Sequence, residues 1–130
     1  MACMAATTAE HPDPSRPAEE ARVSGLTDEH CDVALEYLES TCDSIAAAKA
    51  ELERSEILRK RVRRKHFLTA PGNNAEREAS VESEQEVHEA DDRYVNAVAA
   101  YEGLRAKREL RVIQIDVYRS QEASRRQVRP

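Results

Sequence analysis

The seven residues LTAPGNN, 68–74, hold the one interior cluster of chain-breaking residues in this sequence of 130. Pro71 disfavours helical geometry at Ala70, Gly72 accepts a positive φ, and Asn73 or Asn74 can cap whatever follows. Asn73 with Glu76 three residues on has the pattern of a capping box. Both flanks of this turn read as helix. Upstream, Cys31, Ala34, Leu35, Leu38, Thr41, Cys42, Ile45, Ala48 and Leu52 recur at helical spacing, and the stripe continues weakly through Leu58 and Val62. Downstream, the stripe is Val87, Ala90, Tyr94, Ala97, Val98, Tyr101, Leu104, Val112 and Ile115, with Tyr118 at its edge and Gly103 as a weak spot. One short turn between two long amphipathic segments predicts an antiparallel helical hairpin. The first helix spans about 27–67, the turn about 68–74 and the second helix about 75–126.

Composition agrees. Charged residues make up 35% of the chain and aromatic residues 4%, with no Trp, which suits a thin helix-on-helix core. Alternation of apolar and polar residues is nowhere sustained, so the expected class is all-α and coiled-coil-like. The net charge of −5 argues against a general nucleic-acid coat. Three cysteines, Cys3, Cys31 and Cys42, are odd in number and lack metal-ligand spacing, which fits a reducing cytoplasm. No apolar run approaches the ~20 residues that cross a bilayer. Residues 1–25 carry Pro12, Pro14 and Pro17, resemble no secretory signal, and read as a flexible arm ahead of a hairpin spanning 26–130.

Charge supports the hairpin. Thr27 is a good helix cap, followed by Asp28 and Glu29 at the positive end of the helix dipole, with Leu26 and Cys31 placed for a hydrophobic staple. The block Arg59–Lys65 holds six basic residues and no acid. Antiparallel pairing sets it beside Glu76, Glu78, Glu82, Glu84 and Glu86. It also sets Asp28, Glu29, Asp32, Glu36, Glu39 and Asp43 opposite Arg105, Lys107, Arg108 and Arg111. Exposed ion pairs contribute only ~0–1 kcal/mol each, so such matches specify register more than stability.

Two features are left over. Val95, Ala99, Ala106, Leu110, Ile113 and Val117 form a second apolar stripe roughly opposite the first. A helix apolar on two faces needs two neighbours, which predicts a homodimer or a complex with another protein through this stripe. The bland alternative is that the N-terminal arm covers it. The second helix is also longer by ~15 Å, so if Leu26 aligns with about residue 115, the segment from Val117 onward overhangs. Its Arg119, Arg125, Arg126 and Arg129, together with Arg63, Arg64 and Lys65, are the candidates for contact with nucleic acid or an acidic partner. The plainer reading is a solvated helix end.

Nothing points to catalysis. His11, His30, His66 and His88 have no partner at ligand spacing, and no nucleophile–base set, glycine-rich phosphate loop or acid pair stands out. Cys31 and Cys42 read as small core residues. The expectation is a protein with no catalytic residues, no metal and no cofactor.

The second helix resembles a family of small helical bacteriophage and prophage proteins. The resemblance lies in Ala75–Glu78, Tyr101–Glu109 ("YEGLRAKRE"), Ile113–Ser120 ("IQIDVYRS") and Arg125–Arg126, and covers about the last 55 residues; Tyr118 stands where such proteins often have Trp. Members are often encoded near phage recombination genes. The resemblance therefore implies an accessory protein of phage DNA recombination, replication or host takeover, in the cytoplasm of a bacterial host, acting by binding a phage or host protein. A nucleic-acid-binding recombination factor and a structural coiled-coil oligomer are the alternatives, with a homodimer favoured and no membrane association.

Overall fold

The structure is a computed structural model describing residues 25–128. The described residues form four helices and no strand: α1 (Asp28–Ser40), α2 (Cys42–Thr69), α3 (Asn74–Ser83) and α4 (Gln85–Val128). The chain is all-α, as expected. The expected arm lies, but for Gly25, outside the described residues.

Pairs that bridge the two arms fix the topology. Asp28 meets Tyr118, Thr41 meets Arg108, Glu51 meets Arg93 and Arg59 meets Asp91, so numbers rise on one arm as they fall on the other. The arm made of α1 and α2 thus runs antiparallel to α4. Each side contributes buried or half-buried residues at alternating steps of three and four. On the first arm these are Cys31, Ala34, Leu38, Thr41, Ile45, Ala48, Leu52, Ser55, Arg59, Val62 and His66. On α4 they are Val87, Ala90, Tyr94, Ala97, Tyr101, Leu104, Arg108, Arg111, Ile115 and Tyr118. This is the 3.5-residue repeat of a coiled-coil seam.

That repeat corrects the predicted stripes. Leu35, Cys42 and Leu58 lie outside the seam and are exposed, while Ser55 and Arg59 are in it. Val112 is also exposed, and Arg108 and Arg111 take the seam beside it. A stripe traced through apolar residues drifts from a strict heptad, and the packing keeps the heptad. Arginine tolerates such a place because its aliphatic stem covers the core while its head finds polar partners. Arg108 Nη1 donates to the Leu38 carbonyl at 2.7 Å and also to Thr41 Oγ1, and the Arg111 guanidinium stacks over the Tyr37 ring at 5.3 Å.

Neither predicted helix is continuous. The first breaks at Thr41, whose hydroxyl donates to the Tyr37 carbonyl at 2.7 Å, while Ser40 Oγ donates to the same oxygen at 3.2 Å. Hydroxyls that claim carbonyls three and four residues back bend a helix, and Arg108 fills the opening. The second breaks at Glu84, which is extended at φ −77, ψ 130. Glu78, Glu82 and Glu86, spaced at four, would repel along a continuous helix. The break also turns Val81 inward: six residues from Val87, it would otherwise face away. Instead Val81 joins Val62, Val87 and Ala90 in the core, with Phe67 packed against them.

The turn is tighter than predicted. α2 runs to Thr69, beyond the expected 67, and only 70–73 lie between α2 and α3. Gly72 has φ +101, and Asn73 Oδ1 accepts the Glu76 N–H at 2.9 Å. Thr27 caps α1 as predicted, in a reciprocal box with His30. Because α3 packs as a separate unit on the end of α2, the register shifts by about six residues from the expected one. The Leu26 N–H reaches Gln121 Oε1 at 3.1 Å, so the overhang is limited to the last residues of α4. No helix among the described residues is long and apolar enough to cross a membrane.

Candidate protein interface

The face of α4 turned away from the seam carries the second stripe as read from the sequence. Val95 is 61% exposed, Leu110 54%, Ile113 58% and Val117 41%, with Ala99 and Ala106 also exposed. Ala99, Gly103, Ala106, Leu110, Ile113 and Val117 follow one another at alternating steps of four and three. This is a second heptad line, small at its N-terminal half and large at its C-terminal half. Gly103 was missed as part of it. A Cβ at Gly103 would meet nothing within 4 Å, and the residue does not take a positive φ, so neither packing within the chain nor backbone geometry requires glycine there. A glycine inside a helix costs about 1 kcal/mol relative to alanine.

The basic block is largely spent within the molecule. Arg63 donates to Asp91 Oδ2 at 2.7 Å and to Glu82 at 2.6 Å, and Arg59 donates to Asp91 Oδ1 at 2.9 Å. The Arg63 hydrogen bond, more than the Arg59 one, holds the Asp91 carboxyl below its usual range. Arg59 also lies over the Tyr94 ring at 4.9 Å. Lys65 and His66 converge on Glu86 at 3.3 and 2.8 Å, and their hydrogen bonds, His66 first, lower its pKa. The match to the acids of 76–86 is therefore made through Glu82 and Glu86. Asp91, the centre of the cluster, was missed; its signal was the place next to Ala90 on the seam, within reach of two arginines. Arg64 is exposed and carries no ion pair among the described residues.

The second predicted match is not made by contact. No ion pair among the described residues joins the acids of α1 to Arg105, Lys107, Arg108 or Arg111. Arg105 pairs with Glu102 and Glu109 of its own helix at 3.7 and 3.1 Å, and Arg108 and Arg111 turn into the seam. At the end of α4, Arg119 and Arg126 are exposed and Arg125 pairs with Glu122 at 2.6 Å; Arg129 lies outside the described residues. The Tyr118 hydroxyl donates to Asp28, which raises the phenol to about 12.

A shallow, mostly apolar concavity lies between Arg63, Phe67, Glu78 and Val81. Among the described residues no group of His, Cys, Asp and Glu is arranged to hold a metal. Comparison with protein-family models, curated proteins and solved structures finds no match for this chain.

Proposed function

We propose that this chain is a binding protein rather than an enzyme, and that its working surface is the outward face of α4. The observation that carries this reading is the exposed heptad line ending in Leu110, Ile113 and Val117, with Val95 exposed beside its start and a glycine within it that has open space in front of it. Isolated exposed apolar residues are ordinary, but a heptad line of them is a surface shaped for another helix. Gly103, Ala99 and Ala106 let a partner backbone come close at one end, and the larger residues fill between helices at the other. The partner is a phage or host protein with an apolar helix face. The likeness of Tyr101–Glu109 and Ile113–Ser120 to the phage proteins supports a setting in phage DNA recombination.

The test is recovery of partners from phage-infected cells on immobilised protein. The expected result is an enriched protein that is lost with Leu110→Asp or Ile113→Asp and kept with Arg64→Glu. Equal recovery by all variants would sink the reading. Phosphate binding is the second reading, carried by Arg64, Arg119 and Arg126, which are exposed and form no ion pair among the described residues. It predicts retention of an oligonucleotide that weakens steeply as salt rises.

A further inference from the structure

The arm formed by α1 and α2 also has an outward face, with the same alternating steps of four and three running from Glu29 to Leu68. Its N-terminal part is Glu29, Val33, Glu36, Ser40 and Asp43. Ala47 and Ala50 form its middle. Its C-terminal part is Arg54, Ile57, Arg61, Arg64 and Leu68. All are exposed except Ala50, which is half-buried, and Val33, Ile57 and Leu68 are 52, 50 and 63% exposed. None of these acids and arginines has an ion pair among the described residues. The face is thus acidic at one end, small in the middle and basic at the other, with an apolar residue in each half.

We propose that a second copy of this chain docks on this face, antiparallel, about a two-fold axis passing between Ala47 and Ala50. A two-fold contact is reciprocal: if residue i meets j, then j meets i. With the two alanines opposed at the axis, the heptad steps place Asp43 opposite Arg54, Ser40 opposite Ile57 and Glu36 opposite Arg61. Arg64 then lies over Val33, one turn from both Glu29 and Glu36. Beside the line, Glu39 meets Lys60 and Tyr37 meets Leu58. Every acid of the line falls among bases of the partner, and each pair occurs twice. Parallel docking would set each acid and each arginine against its own copy, so the pattern selects one orientation.

Length favours this face over the outward line of α4 as the self-contact. At ~1.5 Å per residue the line from 29 to 68 extends ~60 Å, while the one from 99 to 117 extends ~28 Å. A helix seam ~60 Å long and ~10 Å wide covers roughly 600 Å² on each partner, within reach of the ~1,200 Å² total of a specific interface; the shorter line covers half that. Phosphate is a poor occupant, because the acidic half would repel it along half the length. The inference does not rest on the proposed role of α4, which the dimer leaves facing outward.

The test is solution mass by light scattering at low salt. The full chain is compared with an acid-reversed variant, Glu36→Arg with Asp43→Arg, and a base-reversed variant, Arg54→Glu with Arg61→Glu. Circular dichroism checks that each variant remains helical. The expected mass is about twice the 14.7 kDa of one chain for the natural protein. Each variant alone should associate roughly tenfold or more weakly, since four facing pairs become like-charged. Mixing the two variants one to one, and combining all four changes in one chain, should each restore the dimer. A monomeric natural chain overturns the proposal, as does a mass lowered by Ile113→Asp but by neither reversal. It is also overturned if mixing restores nothing, or if the only loss in the base-reversed variant is retention of an oligonucleotide.

Discussion

Tyr118 and Asp28 tie the far end of α4 to the first turn of α1, and their contact has a spectroscopic signature. The carboxylate stabilises the neutral phenol, so one of the four tyrosines should ionise near 12. Its contribution to folding is complete below pH 10 and is lost as pH rises toward 12. Phenolate absorbance should show the Tyr118 phenol ionising near 12, and Asp28→Asn should bring it back toward 10. Asp91 acts in the opposite sense. Its folded pKa lies below the usual 3.8, so its contribution is complete above that value and is lost as pH falls below it. Urea midpoints should therefore decline on the acid side of pH 4. Asp91→Asn should flatten that decline and cost about 1 kcal/mol at pH 7, because Arg59 and Arg63 lose a shared acceptor that is only partly exposed.

Elements in this molecule start and stop for local reasons, and glycine shows two opposite versions of them. At Gly72 the positive φ ends one arm and starts the return, and a Cβ would collide with the Glu76 side chain. Gly72→Ala should lower stability by about 1–3 kcal/mol. At Gly103 the helix is regular and the space in front is open, so Gly103→Ala should raise stability by about 1 kcal/mol, seen as a higher melting temperature. The break at Thr41 belongs to this scale as well. Arg108 bonds the Leu38 carbonyl that the bend exposes, and Arg108→Ala should cost about 1–2 kcal/mol in urea unfolding.

At the scale of the molecule, the hairpin has one thin seam and two outward heptad lines of different chemistry. The seam's largest fully buried side chains are Val87 and Ser55, so little apolar area holds the arms together. Stability should accordingly depend on concentration: dilution of the natural chain should lower its melting temperature if association covers further surface. The line on α4 is apolar and suits another protein's helix. The line on the first arm is charged, with its two halves opposite in sign, and suits a second copy.

Local chemistry in the sequence was enough for the all-α class, a turn within 68–74, the cap at Thr27, a cap at Asn73 or Asn74, and the exposed second stripe. Proline geometry, glycine's positive φ and side-chain capping act within a few residues of themselves, and an apolar stripe shows in spacing alone. Tertiary packing decided the rest. Which residues fill the seam depends on the 3.5-residue repeat shared with the facing helix, so Arg108 and Arg111 entered it and Val112 did not. Where the second helix breaks depends on Val81 finding the core beside Val62. The pairing of Arg59 and Arg63 with Asp91 depends on a register that α3 shifts, and no property of 59–65 read alone contains that shift.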